Sequence, residues 1–343
     1  MLSYIKPEWY LASMDRFEAP SIDEISSLRE DLGDSIIRTP VLRCFELEEM
    51  LGGDSEVYAK LEFLQRTGTF KARGALAVLS RFDSAQIAKG ITAVSAGNHA
   101  IAAAYAARSV GTTAKIVMIG TANPSRIAAC RDMGAEVVMV DDVHAAFAEA
   151  EEIQAKEGRQ FVHPFEGPDV ARGTGTLGLE IHEQCEDFDA VVVAIGGGGL
   201  IGGVSNALKQ LRPGCTVIGV EPSGADSMHR SFAAGSPQEI ESVKTIADSL
   251  GAPYALPYSF ELCRRNVDQL CLVEDDEIRS AMGMLFKRMK MAVEPACAAS
   301  SAALLGPLRE QLRGKKTVLV FCGSNIDWQT FAAQAILDDD DAG

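Results

Sequence analysis

Short apolar runs alternate with helix-length stretches over most of this chain, and that alternation constrains the fold more than any other feature. From Ile91 onward, strands are predicted at Ile91–Val94, Lys115–Ile119, Glu136–Val140 and Gln160–Val162. Helices over His99–Ser109, Pro124–Met133 and Val143–Lys156 fall between them. The second half repeats the scheme, with strands at Ala190–Ile195, Thr216–Val220, Gln269–Val273 and Thr317–Phe321. Strands that alternate with helices of this length pair in parallel through right-handed crossovers. The expected class is therefore α/β, with two open, mainly parallel twisted sheets and flanking helices. At 343 residues there is length for two domains, a large one of 1–84 and 164–343 and a small one of 85–163.

Ahead of this region, Ser21-Ile22-Asp23-Glu24 has capping-box spacing and starts a helix ending near Gly33, after an arm of residues 1–20. A second short helix is expected around Glu46–Leu51. Residues Val57 to Phe63 alternate, with Val57, Ala59, Leu61 and Phe63 on one side, as a half-buried strand does. Arg66-Thr67-Gly68 breaks the pattern, and Thr69 is expected to cap a helix from Phe70 to about Ser80. Lys71 thereby falls in the first turn of a helix directly after a strand. Unpaired N–H groups and the helix dipole disfavour a positive charge there, so Lys71 has cause to be a neutral amine of the kind carbonyl chemistry uses.

Composition excludes several classes. Hydrophobic residues make up 47% and charged ones 23%, as in a soluble globular protein. Lys+Arg 32 against Asp+Glu 48 gives a net charge of −16, which argues against nucleic acid or an anionic membrane as partner. Part of that charge is the run Asp338 to Asp341, read as a solvated tail. No apolar run reaches the roughly eighteen residues of a membrane span, and the N-terminus lacks a secretory signal's basic start and apolar core. The eight cysteines are scattered without a C-x-x-C pair, which indicates buried thiols in a reducing cytoplasm rather than a zinc site or disulfide framework.

Open α/β sheets bind ligands at the carboxyl ends of their strands. After Ile91–Val94 comes Ser95-Ala96-Gly97-Asn98-His99. Gly97 allows a tight turn, free N–H groups at the helix start can receive a carboxylate, and Asn98 offers both donor and acceptor. After Ala190–Ile195 comes Gly196-Gly197-Gly198-Gly199-Leu200-Ile201-Gly202-Gly203, whose unobstructed N–H groups suit a phosphate. Gly197, Gly199 and Gly202 also satisfy G-x-G-x-x-G, and Glu221 ends the next strand roughly twenty residues on, so this piece alone leaves an NAD-dependent oxidoreductase open. It is not a nucleoside-triphosphate loop, because no Gly-Lys-Ser/Thr follows. After the last strand comes Cys322-Gly323-Ser324-Asn325, a place where a thiol can face a ring nitrogen. His144, His163, His182 and His229 show no metal-ligand spacing and receive no role.

Taken together and in this order, the lysine after a strand, the S-x-G-N-H turn, the tetraglycine loop and the C-G-S-N turn resemble the threonine/serine dehydratases and serine racemase. These are fold-type II (tryptophan synthase β-like) pyridoxal-phosphate enzymes, and the resemblance covers about residue 20 to residue 330. It implies a cleft between the large, cofactor-binding domain and the small one, holding pyridoxal 5'-phosphate. Lys71 looks like the Schiff-base lysine, with Phe70 packed near the ring and Asn98 at the phenolic oxygen. Gly196, Gly197, Gly198, Gly199 and Leu200 would bind the phosphate, and Cys322 would sit by the pyridine nitrogen. The substrate carboxylate would rest on the N–H groups of Ser95, Ala96, Gly97, Asn98 and His99. The implied reaction is dehydrative deamination of a β-hydroxy-α-amino acid, L-threonine or L-serine by default, to a 2-oxo acid and ammonia. A cytoplasmic homodimer acting on a small amino acid, with no nucleic-acid or membrane partner, is the expected setting.

The departures from the family pattern refine this expectation. Serine racemase has a serine that serves as acid/base where this chain has Ala96, so a one-base eliminating enzyme is expected rather than a racemase. The pyridine contact is often Ser in the family, and Cys322 resembles the mammalian-type serine dehydratases. Racemase-like members hold a divalent cation in an E-P-S-x-A-D-D stretch; here Glu221, Ala225 and Asp226 are kept but Ser227 replaces the final ligand, which leaves a carboxylate short for a hard cation. Arg172 and Thr174 differ from the family's Ala-Gly-Gln-Gly-Thr; an Arg172 facing the pocket could pair a second carboxylate, as of 3-hydroxyaspartate, whereas one facing solvent, the orientation expected, bears on no substrate. A C-terminal regulatory domain is not expected, since the sequence ends soon after Asn325.

Overall fold

The computed structural model describes residues 17–336; the acidic tail and all but residues 17–20 of the expected arm lie outside the described residues. The described strands are β1 (Val41–Arg43), β2 (Glu56–Leu61), β3 (Ile91–Val94), β4 (Ala114–Ile119), β5 (Glu136–Val140), β6 (Gln160–Phe161), β7 (Ala190–Ala194), β8 (Thr216–Pro222), β9 (Gln269–Val273) and β10 (Lys316–Phe321). They form a six-stranded sheet in the order β1-β2-β10-β7-β8-β9 and a four-stranded sheet in the order β5-β4-β3-β6. Among the described strands, β1 with β2 is antiparallel and the other pairings are parallel. The smaller sheet is made from one continuous stretch inserted between β2 and β7.

β10, the last strand in the chain, enters the larger sheet between β2 and β7, with Val318 opposite both Tyr58 and Val191. Helices cover both faces of a parallel sheet, so its central strands are apolar throughout rather than alternating. Val191, Val192 and Val193 of β7 and Val318, Leu319 and Val320 of β10 are completely buried, each contributing about 1.5–3 kcal/mol of burial energy.

Local signals place most helices within a residue or two of expectation. Ser21 Oγ accepts from Glu24 N–H (3.2 Å) while Glu24 accepts from Ser21 N–H (2.8 Å), and the helix Ile22–Leu32 stops at Gly33, whose φ of 44° suits glycine. The predicted helices after β3, β4 and β5 are Asn98–Ser109, Pro124–Asp132 and Val143–Glu157.

The segment before Lys71 departs from the sequence reading in three ways. β2 ends at Leu61, and Phe63 lies in a short 3-10 turn, Glu62–Leu64. Thr69 does not cap the helix: it is extended, pairs in an isolated bridge with Gly323, and the helix Lys71–Leu79 begins without a side-chain cap. Nor is this strand half-buried. Its polar positions, Lys60 and the following Glu62, are completely buried. Lys60 Nζ donates to Glu180 (2.5 Å) and to Thr39 O (2.6 Å), and Arg73 donates to Glu62 (2.8 Å) and Glu180 (2.8 Å). Two cations and two carboxylates cancel in charge and satisfy one another's hydrogen bonds, the condition under which buried ions are tolerated. The cluster joins β2, the helix Lys71–Leu79 and the helix Pro168–Gln184. It anchors the helix that carries Lys71.

Candidate active site

The carboxyl ends of β3, β7 and β10 converge on Lys71. Phe70 N–H donates to Cys322 O (3.1 Å), which pins the start of the lysine's helix to the end of β10. Lys71 Nζ donates to Pro164 O (2.7 Å) and lies 5.1 Å from the centroid of the Phe70 ring. Burial pushes its pKa down to about 8, against the opposing pull of Cys322 and Glu294. A small pocket beside it is lined by Phe70, Lys71, His99, His163, Pro164 and Thr174, among others.

Both histidines in that lining are neutral. Burial pushes His99 down to about 3, with the nearby Lys71 charge adding to the shift. Its Nε2 faces Val162 O at 2.8 Å, which requires the proton on that nitrogen. His163 is also pushed well below its ordinary value by burial, and its Nδ1 accepts from the N–H groups of Phe165 (3.2 Å) and Glu166 (2.9 Å). No second cation competes with Lys71 from these rings.

The loop after β7 is shaped as a cradle. A Cβ on Gly197 would run into the Phe165 ring, and one on Gly199 would come within 2.6 Å of Phe165 O. Gly198 has a φ of +91°, and a Cβ there would meet Met228 Cε at 2.7 Å. The N–H groups of Gly197, Gly198, Gly199 and Leu200 have no hydrogen-bond partner among the described residues, and they open the helix Gly199–Leu211. Thr174 Oγ1 donates to Gly199 O (2.7 Å) and holds the loop from below. Unpaired donors at a helix start, kept bare by glycine, fit a phosphate.

The turn after β3 offers a second anion site. Ser95 Oγ takes the Gly97 N–H (3.1 Å), while those of Ala96, Asn98 and His99 have no partner among the described residues. The Asn98 amide donates to Glu294 Oε1 (2.7 Å) and Ser249 Oγ (3.2 Å), and its Oδ1 accepts from Asn325 Nδ2 (2.8 Å). Cys322, buried at the end of β10, lies beside Cys297; that contact and burial push its thiol well above the ordinary range. It stays a neutral thiol, a weak donor for a ring nitrogen. Taken as a whole, the site can hold a phosphate and a carboxylate on two sides of a primary amine that loses its proton more readily than an ordinary lysine.

The residues considered for a cation, a dinucleotide and a second substrate carboxylate are engaged elsewhere in the protein. Glu221 has a structural partner instead: its two oxygens accept from the N–H groups of Met228 (2.9 Å) and His229 (2.7 Å) at the start of the helix Ser227–Ala234. Asp226 is paired with Arg230 (2.9 Å), and among the described residues no group of three or more His, Cys, Asp or Glu side chains assembles that could hold a metal ion. These bonds account for Glu221 at the end of β8 without a dinucleotide ribose. Arg172 faces away from the pocket, donating to Ala77 O (3.3 Å) and Ser80 Oγ (3.3 Å) and pairing with Asp169.

The sequence reading missed His163, Glu294, Arg126 and the Pro164 carbonyl. His163 was within reach of the strand-end rule, since it follows β6 as Ser95 follows β3. Glu294 follows no strand and reads as an ordinary residue before a helix-starting proline. Only the fold brings it to Asn98.

Comparison with known proteins agrees with this geometry. A family model described as pyridoxal-phosphate dependent enzyme matches residues 32–323. The chain is 51% identical over 322 residues to a phenylserine dehydratase of Ralstonia pickettii, covering 94% of this chain and 98% of that protein. It is 39% identical to the catabolic L-threonine dehydratase of Escherichia coli K12, covering 90% and 93%. Among solved structures, maize serine racemase superposes with a TM-score of 0.87 at 32% identity, covering 92% of this chain and 98% of that one. A threonine deaminase from Solanum lycopersicum gives 0.86 at 31%, covering 94% and 96%.

Proposed function

The chain belongs to the pyridoxal-phosphate dependent enzyme family, and on that premise we propose that Lys71 is the cofactor lysine and sole base of its reaction. That reaction is the dehydrative deamination of a β-hydroxy-α-amino acid, with pyridoxal 5'-phosphate as cofactor. The observation that carries the assignment is the amine of Lys71, pushed down to about 8 by burial and enclosed by two neutral histidines. The glycine loop Gly196–Gly199 with Leu200 would hold its phosphate, Asn98 would hydrogen-bond its ring oxygen, Phe70 would pack near its ring, and Cys322 would sit by its nitrogen. Pyridoxal phosphate supplies the electron sink that makes the substrate Cα–H acidic.

The chain's own groups do the rest. The N–H groups of Ala96, Asn98 and His99 receive the substrate carboxylate at the helix start. Lys71 takes the Cα proton, and the β-hydroxyl leaves as water with a proton that the bound phosphate would supply; hydrolysis of the released enamine gives the 2-oxo acid and ammonia. On the face opposite the lysine, Ala96 has no proton to give, so racemisation lacks its second group.

The substrate that best fits is a β-hydroxy amino acid with an aryl group at Cβ. Identity is higher to the phenylserine enzyme than to the threonine enzyme. In addition, the Phe165 ring lies over Gly197 with the Tyr254 ring 6.4 Å away, an apolar wall beside the cradle. With Arg172 turned away, the pairing suggested for 3-hydroxyaspartate is lost. The division into 1–84 with 164–343 and 85–163, a homodimeric state and a cytoplasmic location belong to the same proposal. Sheet membership supports the first and eight free, buried cysteines the last; among the described residues no helix is long and apolar enough to cross a membrane.

Protein loaded with pyridoxal phosphate should turn phenylserine into phenylpyruvate and ammonia faster than it turns over L-threonine, L-serine or 3-hydroxyaspartate. Borohydride should fix the cofactor to Lys71, as mass spectrometry would read. A label on another lysine, or no 2-oxo acid from any of the four, would refute the assignment.

A further inference from the structure

Glu294 is a buried carboxylate next to the reacting groups that the mechanism above does not use. It is 2% exposed and stands at the N-cap position of the helix Pro295–Leu305, yet its side chain makes no capping bond. Its Oε1 accepts from Asn98 Nδ2 at 2.7 Å, while Oε2 is buried with no hydrogen-bond partner among the described residues, 4.0 Å from Arg126 Nη2. Gly323 makes room for it, since a Cβ there would come within 2.5 Å of Oε1. Burial pushes its pKa up to about 7, with Arg126, Asn98 and Lys71 opposing. Oε1 accepts in either protonation state.

An asparagine amide can flip, and what it presents to a ligand depends on the partners that hold it. Asn325 Nδ2 donates both to Thr67 O (2.8 Å) and to Asn98 Oδ1 (2.8 Å), so Asn325 cannot reverse without losing its carbonyl partner. Asn98 therefore receives a donor on its oxygen side and an acceptor, Glu294, on its nitrogen side. Its second N–H goes to Ser249 Oγ at 3.2 Å, the longer of its two donor bonds and the easier to exchange.

We propose that Glu294 is a positioning residue for the cofactor: it locks the Asn98 amide with its N–H pair turned into the site, leaving the N–H now on Ser249 for the ring oxygen of pyridoxal phosphate. This rests on the reading that Asn98 meets that oxygen. Glu294 touches neither substrate nor cofactor in this role and acts through Asn98.

The test is equilibrium binding of pyridoxal phosphate to the cofactor-free full chain, followed by the visible absorption band and by the rise in unfolding temperature. Glu294→Gln keeps an acceptor of the same shape and should bind within about threefold of wild type. Glu294→Ala and Glu294→Met remove the acceptor, Met without leaving a cavity, and should bind about tenfold or more weakly with the visible band displaced. If Ala fails to fold, Met carries the measurement. Affinity unchanged in Met would overturn the inference, and so would a Gln variant as weak as Met, because charge rather than the acceptor would then be what counts. Wild-type protein that develops no visible band would instead overturn the cofactor reading on which this one stands.

Discussion

Lys71 reaches the state that attacks a carbonyl at a lower pH than an ordinary lysine, because water cannot reach it well enough to stabilise its charge. Burial is the leading cause of its shift, ahead of any neighbouring charge, and the nearby Cys322 and Glu294 pull the other way. Below a pKa of about 8 the amine is protonated and cannot react. The rate at which added pyridoxal phosphate produces a visible band should therefore rise about tenfold per pH unit below that value and level off above it. A flat profile would place the neutral amine elsewhere. Lys71→Ala should fold, bind phosphate, and lose at least about a thousandfold in kcat/KM with no visible band. The same group shapes stability through linkage. Its folded pKa lies below the ordinary 10.5, so between about 8 and that value the unfolded chain binds more protons, and this contribution to stability rises with pH across that window.

Two elements fix where Lys71 and the phosphate can meet. In the glycine loop, Gly198 combines a left-handed φ with close contact to Met228, so Gly198→Ala should cost about 1–3 kcal/mol in thermal unfolding and weaken cofactor binding as well. The helix Lys71–Leu79 is held from behind by Lys60, Glu62, Arg73 and Glu180, all buried. Glu180→Gln would leave the cations short of a counter-charge, with an expected loss of about 3–5 kcal/mol in denaturant titration. A loss under about 1 kcal/mol would mean that water enters the cluster. Residues 57–63 show why pattern reading misjudged this segment. Alternation correctly named the apolar face of β2, but it assigned Lys60 and Glu62 to solvent. Nothing local shows that Arg73 and Glu180 would arrive to pair with them, Glu180 from more than a hundred residues away.

Across the whole molecule, the two sheets are tied over the site by a few polar contacts. Arg126, from the helix after β4, donates to Asp248 (2.6 Å) and to Asn325 O (3.1 Å), and Asn123 donates to Asp327 (2.8 Å). Asp248 is 57% exposed in its side chain, so the pair adds less than about 1 kcal/mol to stability. Asp248→Asn should accordingly leave unfolding almost unchanged while raising KM several-fold with little effect on kcat, as expected if the contact helps hold the small sheet over bound substrate. The sequence by itself determined what depends on neighbours along the chain. Periodicity set the α/β class, glycine and Ser-Ile-Asp-Glu spacing set turns and caps, and the strand-end motifs at Lys71, Asn98, Gly196–Gly199 and Cys322 named the residues proposed to hold the cofactor. Tertiary structure alone decided that β10 lies between β2 and β7, that Glu221 accepts from the N–H groups of Met228 and His229, that Arg172 pairs with Asp169, and that Glu294 accepts from the Asn98 amide. Each of these depends on which distant groups compete for the same oxygen or nitrogen. Hydrogen bonds and charges are satisfied by proximity in space, which spacing along a chain does not record.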